Sequence, residues 1–285
     1  MRSAHVGKQL NRFVRRARRS FEYRTGRVVA WVMCEIKELE TRHSERLSQQ
    51  LQKYELLGLD RDAGITAYLE AVKEAGVEAS VEIGDSRSEH KVLLGALAAK
   101  RLPISKILEI GTLEGSTTKV LTYLFPEAIV TTMDLPASDS AYHASYEYSR
   151  SREFVEKRKL NVRSSSRIKF VEQNSLSLSL ESVDSNYDLV WVDGDHDFPT
   201  VGIDLANSVR LLRPGGYLMC DDVISERISR TSTYNSNAAH RTLVALHGAG
   251  LIESPVYLYK RLGKHNQHPR KFVAITRTRA RNQAS

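Results

Sequence analysis

The stretch Lys106-Ile107-Leu108-Glu109-Ile110-Gly111-Thr112-Leu113-Glu114-Gly115-Ser116-Thr117 constrains this chain more than any other. An apolar run ends in a carboxylate, two glycines bracket a short turn, and Val120, Leu121 and Leu124 then recur with helical spacing. The pattern reads as strand, tight turn and helix. In an open α/β sheet, the crevice at the carboxyl end of such a strand is where a cofactor sits, and glycine lets the backbone approach it. A dinucleotide fingerprint would want glycines at 111, 113 and 116, whereas positions 113 and 116 are Leu113 and Ser116; a phosphate loop would want a Gly-Lys pair that is missing. Glu109 and Glu114 would repel a pyrophosphate and suit a ligand carrying an ammonium and a sulfonium.

A second constellation is Asp188-Leu189-Val190-Trp191-Val192-Asp193-Gly194-Asp195-His196. Its hydrophobicity is continuous, which fits a parallel strand covered on both faces. A helix follows on Val201, Leu205, Val209 and Leu212, ended by the turn Arg213-Pro214-Gly215-Gly216. The strand Tyr217-Leu218-Met219-Cys220 then finishes in Asp221-Asp222. Adjacent parallel strands bring their carboxyl ends together, so Asp193, Asp221 and Asp222 converge. Crowded carboxylates repel unless something positive lies among them, and a hard divalent cation, Mg²⁺ first, is the simplest such group. The plainer alternatives are that Asp193 caps the next helix or meets a cofactor's edge, and that Asp222 bonds to backbone.

Glu109-Ile110-Gly111, with Gly115 four positions on, resembles the first motif of class I S-adenosylmethionine-dependent methyltransferases. The run from Asp188 to Asp222 resembles, more specifically, their metal-dependent small-molecule O-methyltransferase branch. There a Val-Asp-Gly-Asp-His strand end is followed, after one helix, by Pro-Gly-Gly and an Asp-Asp pair. The resemblance spans about residues 86–276. It implies an α/β fold: a Rossmann-like, doubly wound, mostly parallel seven-stranded sheet with an antiparallel final hairpin, here Val256–Tyr259 and Lys271–Thr276. It implies S-adenosylmethionine held by Glu109, Gly111, Thr112, Gly115, Ser116, Asp134, Asn174, Ser175 and Asp193. Asn174 stands where the family often has an acid beside the adenine. It implies Mg²⁺ on Asp193, Asp221 and Asp222, with Asp195 or His196 as general base; His196 has the more suitable unperturbed pKa. The activity implied is O-methylation of a small hydroxylated acceptor such as a sugar, a phenol or a natural-product intermediate.

Between the two constellations, Ala128–Met133 reads as a strand closed by Asp134. That aspartate lies 23 residues past Gly111, near the spacing of about 20 at which a carboxylate takes ribose hydroxyls. A turn aspartate capping the next helix is the alternative. Residues 135–152 lack periodicity and read as a loop beside the crevice, with Tyr142, His143, Tyr146 and Tyr148 as pocket contacts. A helix over Arg152–Leu160 and a strand over Ile168–Glu172 follow.

The 285 residues suffice for one such domain and an appendage, and the domain boundary is drawn near residue 85: an N-terminal basic and helical extension, 1–85, then the methyltransferase-like domain, 86–285. Net charge is +8, but residues 1–30 carry nine Lys/Arg against Glu22, and residues 258–285 carry eight and no acid, so the middle sums to −8. Basic ends suit RNA, an anionic membrane surface or plain solvation. An RNA methyltransferase is therefore one rival reading, and a non-catalytic cofactor-binding scaffold is another. Apolar spacing from Arg27 to Leu57 predicts a long amphipathic helix, which serves either homodimerisation or packing on its own domain. Shorter helices are expected over Asp62–Ala75 and Ser88–Leu102. Two cysteines, Cys34 and Cys220, point to a reducing compartment, the cytoplasm; an Arg-rich, acid-free start leaves a mitochondrial presequence as the alternative.

Overall fold

The structure, a computed structural model, describes residues 43–77, 88–145, 148–179, 186–225, 236–262 and 271–279. The chain divides into two units, Met1–Ser48 and Gln49–Ser285. Residues 27–42 of the expected long helix lie outside the described part; residues 43–56 are helical and are called α1. Also outside it lie Tyr146 and the Gly84-Asp85-Ser86 boundary segment, while for His143 and Tyr148 only the backbone is described.

Seven strands form one sheet in the order β3-β2-β1-β4-β5-β7-β6. They are β1 (Lys106–Ile110), β2 (Ile129–Asp134), β3 (Ile168–Glu172), β4 (Tyr187–Val192), β5 (Leu212–Ile224), β6 (Val256–Tyr259) and β7 (Lys271–Arg277). β1 to β5 pair in parallel, and β7 runs antiparallel to both β5 and β6. This is the Rossmann-like sheet with an antiparallel end that the resemblance implied. The order turns outward from β1 and β4, so the crevice lies at their carboxyl ends.

Helices cover both faces. They are α2 (Arg61–Ala75), α3 (Glu89–Ala99), α4 (Ser116–Leu124), α5 (Ser140–Ser145), α6 (Tyr148–Val162), α7 (Thr200–Leu211) and α8 (Ala238–Gly248). Along β1, Ile107 packs with Leu93, Leu97 and Leu121 on one face, while Leu108 and Ile110 pack with Val201, Leu205 and Leu243 on the other. β4 divides the same way, Leu189 and Trp191 against Val190 and Val192. Burial on alternate faces explains the unbroken apolar runs.

Local chemistry sets several boundaries. The Asp60 carboxylate caps α2 by accepting from the N–H groups of Asp62 and Ala63, and Gly76 ends it at φ 59°. α2 and α3 cross at Gly64 and Gly95, so closely that a Cβ on Gly95 would lie 2.1 Å from the Gly64 carbonyl oxygen. Asp188 ties the lower ends of β1 and β4, accepting from the Ser105 and Lys106 N–H groups at 2.8 and 2.9 Å and from Arg213. β6 is an edge strand, a natural site for unwanted pairing. Gln50 covers it: its amide donates to the Tyr259 carbonyl at 3.1 Å and accepts the Tyr259 N–H at 2.9 Å.

The structure departs from sequence expectation in two places. α5 occupies part of the expected 135–152 loop, being a helix of six residues, too short to show a period. β5 begins at Leu212, so Arg213-Pro214-Gly215-Gly216 is the irregular start of a strand, with a register shift between Tyr187 and Leu189.

Candidate active site

The turn after β1 is fastened to both neighbouring strands. Gly111 N–H donates to the Met133 carbonyl on β2, and Asp193 N–H, just past β4, donates to the Ile110 carbonyl, each at 2.8 Å. Gly111 has φ 102°, and a Cβ there would lie 2.3 Å from the Asp193 carbonyl oxygen. Gly115, at φ 73°, starts α4. Leu113 N–H donates to Asp134 Oδ2 at 2.7 Å, so the carboxylate ending β2 also holds the turn.

These elements border a cleft of about 510 Å³. Of the sequence-derived residues, Gly111, Thr112, Glu114, Ser116, Asp134, Tyr142, Asn174, Ser175, Asp193, Asp195, His196 and Asp222 line it, joined by Leu113. Five carboxylates face it, those of Glu114, Asp134, Asp193, Asp195 and Asp222, and no lysine or arginine is among its lining residues. Such a wall attracts a cationic ligand and repels phosphate.

Glu109 and Gly115 do not line the cleft. Glu109 is 1% exposed, and its carboxylate accepts from the hydroxyls of Thr118 and, at 2.7 Å, Thr132. It therefore points into the protein beneath the turn, and the direct cofactor contact expected of it is corrected to a supporting place. Burial raises its pKa to about 7, against the pull of those two hydroxyls. The sign follows: the unfolded chain ionises Glu109 near pH 4.5, so the folded state loses stability as pH rises from there to about 7. A difference of that size corresponds to at most about 3 kcal/mol. Glu109→Gln keeps an acceptor for both threonines, so the variant is expected to gain stability over wild type as pH rises from 4.5 to 8. Denaturant titrations of both proteins across that range check it, and a pH-independent difference refutes it.

Asp134 is held by Leu113 N–H, by Leu135 N–H at 2.8 Å and by Arg158 Nη1 at 3.2 Å. Burial raises its pKa, and Leu113 and Arg158 oppose the rise. Arg158 is itself 1% exposed, between the rings of Tyr142 and Phe170 at 5.1 and 5.0 Å. It follows no sequence motif; only its place in the helix before β3 would have drawn notice. Asn174 Oδ1 accepts the Leu176 N–H at 3.0 Å, starting the 3₁₀ turn Ser175–Ser179. One lone pair of the amide oxygen and both N–H donors then remain for a ligand.

At the reacting end, Asp193, Asp221 and Asp222 do converge, yet lysines stand among them. Lys260 Nζ lies 2.8 Å from Asp221 Oδ2 and also bonds Asp222 Oδ1. Lys271 Nζ lies 2.8 Å from Asp222 Oδ2. His90 Nδ1 adds a contact of 3.5 Å to Asp221 Oδ2. Asp221 Oδ1 is buried without a hydrogen bond, its charge met through the other oxygen. Burial alone would raise Asp221, but Lys260 and His90 override it and hold the carboxyl well below the usual range. Burial and the Asp221 charge push Asp222 up, and Lys260 and His196 bring it below its ordinary value. Asp193 is raised by burial and by Asp221. Among the described residues no group of three or more His, Cys, Asp or Glu side chains is arranged to hold a metal. The expected Mg²⁺ on Asp193, Asp221 and Asp222 does not fit this arrangement, because ammonium groups already neutralise two of the three. The sequence reading counted both lysines only as part of a basic end, suited to RNA, an anionic surface or solvation. Their signal was position: Lys260 directly follows β6 and Lys271 opens β7.

His196 Nε2 lies 3.9 Å from both Asp193 Oδ1 and Asp222 Oδ2. Burial lowers its pKa, partly offset by Asp222 and Asp221. Asp195 is exposed, and its Oδ1 accepts the Asp197 N–H at 3.0 Å. Residues 226–235, with Arg227, Arg230, Thr231, Tyr234 and Asn235, lie outside the described residues.

No curated protein matches the chain in sequence. Residues 108–223 match the family described as "Methyltransferase domain". Similar solved structures include an O-methyltransferase from Bacillus cereus in complex with SAH, 18% identical, covering 84% of this chain and 100% of that one, TM-score 0.47. TomG, an O-methyltransferase of tomaymycin synthesis from Streptomyces achromogenes, is 17% identical over 82% of this chain and 96% of its own, TM-score 0.46. The N-methyltransferase NodS from Bradyrhizobium japonicum WM9 is 18% identical over 67% and 96%, TM-score 0.47. Residues 108–223 thus resemble a methyltransferase domain, and they span β1 to β5 of the seven-stranded sheet.

Proposed function

We propose that the chain transfers a methyl group from S-adenosylmethionine to a hydroxyl of a small acceptor, with His196 as general base. The observation that carries this reading is the cleft itself: about 510 Å³, a size suited to a small-molecule ligand, with five carboxylates and the Gly111 turn among its lining residues. S-adenosylmethionine, when bound, supplies an electrophilic methyl on a sulfonium. Asp134 would accept from the ribose hydroxyls, Asn174 and Ser175 would meet the adenine, and Gly111, Thr112 and Ser116 would border the amino-acid end. Asp193 would stand on the side of the sulfonium. The acceptor oxygen would take that methyl, leaving the carbon–sulfur electron pair on sulfur, and His196 would take up the hydroxyl proton. Metal assistance is not part of this reading, since Lys260 and Lys271 engage Asp221 and Asp222.

Calorimetry with S-adenosylhomocysteine tests cofactor recognition. Wild type is expected to bind, Asp134→Ala to bind at least about tenfold more weakly through loss of hydrogen bonds to a charged group, and NAD to give no signal. No binding by folded wild type would sink the reading. Labelled methyl transfer into a small-molecule fraction, rather than into RNA, separates the acceptor class from the RNA rival.

A further inference from the structure

We infer that Lys260, assisted by Lys271, takes the place of a divalent cation in this active site, so that the chain works without a metal and Lys260 is a positioning residue for Asp222. Three carboxylates, Asp193 just past β4 and Asp221 and Asp222 at the irregularity between Cys220 and Val223 in β5, need a positive partner, and two ammonium groups from the β6–β7 hairpin provide it. Both are largely buried: their side chains are 16% and 13% exposed. Nor is Lys260 a surface lysine that happens to reach inward. Its N–H donates to the Lys271 carbonyl at 2.9 Å, and its carbonyl accepts the Glu89 N–H at 2.8 Å. Glu89 is in turn gripped by Arg61 through two bonds of 2.7 and 3.1 Å. The backbone that carries the ammonium is therefore fixed from the sheet on one side and from α3 on the other.

Asp222 shows what is being held. Its φ is 49°, a left-handed conformation that is strained for a residue other than glycine and persists only where its surroundings impose it. Lys260 and Lys271 bind one oxygen each, fixing the carboxylate that lines the cleft beside His196. An ammonium offers three donors and no open coordination position. It steadies the acids without binding the acceptor oxygen as a metal would, and the acceptor proton falls to His196. Only this last point rests on the methyl-transfer reading.

The test is a Mn²⁺ titration followed by electron paramagnetic resonance, beside metal analysis of the purified chain. Wild type is expected to contain no stoichiometric divalent metal and to bind Mn²⁺ at least tenfold more weakly than Lys260→Ala/Lys271→Ala, in which the carboxylates are released. Turnover, once an acceptor is known, is expected to persist within twofold in EDTA. Tight one-to-one Mn²⁺ binding by wild type, loss of turnover in EDTA, or no gain of Mn²⁺ affinity in a folded double variant would overturn the proposal. The wild-type measurements decide it even where the double variant fails to fold. A chain that binds no S-adenosylhomocysteine but gives the expected Mn²⁺ result would lose the proposed function and keep this inference.

Discussion

His196→Gln is expected to lower kcat by about 10²–10⁴-fold, the range a positioned general base contributes, with S-adenosylhomocysteine affinity changed less than threefold. The imidazole stands at the cleft wall with Nε2 equidistant, at 3.9 Å, from Asp193 and Asp222. Its pKa is lowered first by burial, so the neutral form, the one able to accept a proton, persists to lower pH than for a free histidine. The sign for the rate is then fixed: kcat should rise with pH through the His196 pKa and level off, with the acid limb below 6.5. Asp195, the alternative base, is exposed and already accepts the Asp197 N–H. Asp195→Asn should leave the acid limb in place. A His196→Gln enzyme with wild-type kcat, or an acid limb that survives in it, would return the role to Asp195.

Sheet, crevice and glycine turn were legible because each rests on local signals: unbroken apolar runs, helical spacing after Ser116, and acids at strand ends. The convergence of Asp193 with Asp221 and Asp222 followed from parallel neighbours and is present. What filled the space among them was not legible. Lys260 and Lys271 reach Asp222 from β7 and its neighbour β6, strands distant in sequence from β4, and a charge tally of the last 28 residues counts them only as part of a basic end. Glu109 was misread for a related reason. Strand alternation decides whether a carboxylate faces the cleft or the core, and an unbroken apolar strand carries no alternation to read. Gly95 against Gly64 was invisible too, since the helix crossing depends on tertiary approach, and small residues there look like any others.

Gly111→Ala is the second large effect. A methyl group at this position would meet the Asp193 carbonyl oxygen at 2.3 Å, the Asp193 carbonyl carbon at 2.6 Å and the Gly194 nitrogen at 2.8 Å. All three are backbone atoms, so no rotamer change relieves the contact, and β1 and β4 would have to part at their carboxyl ends. The φ of 102° is a separate penalty, of about 1–2 kcal/mol for any residue with a Cβ. Together these predict a loss of roughly 2–4 kcal/mol in stability. The local consequence is larger than the global one. Gly111 N–H to Met133 and Asp193 N–H to Ile110 are the bonds that set the turn between β2 and β4, and parting the strands displaces Leu113 from Asp134 and Asp193 from the cleft at once. Affinity for S-adenosylhomocysteine should therefore fall at least 30-fold, about 2 kcal/mol, in protein that still folds at low temperature. Gly115→Ala is the control: its φ of 73° is also unfavourable, but its nearest contact would be a side-chain carbon of Asn161 at 3.2 Å, away from the cleft. It should lose stability with a smaller loss of affinity. Equal affinity losses in the two variants would mean that the close approach of the β1 turn to Asp193 is not what shapes the site.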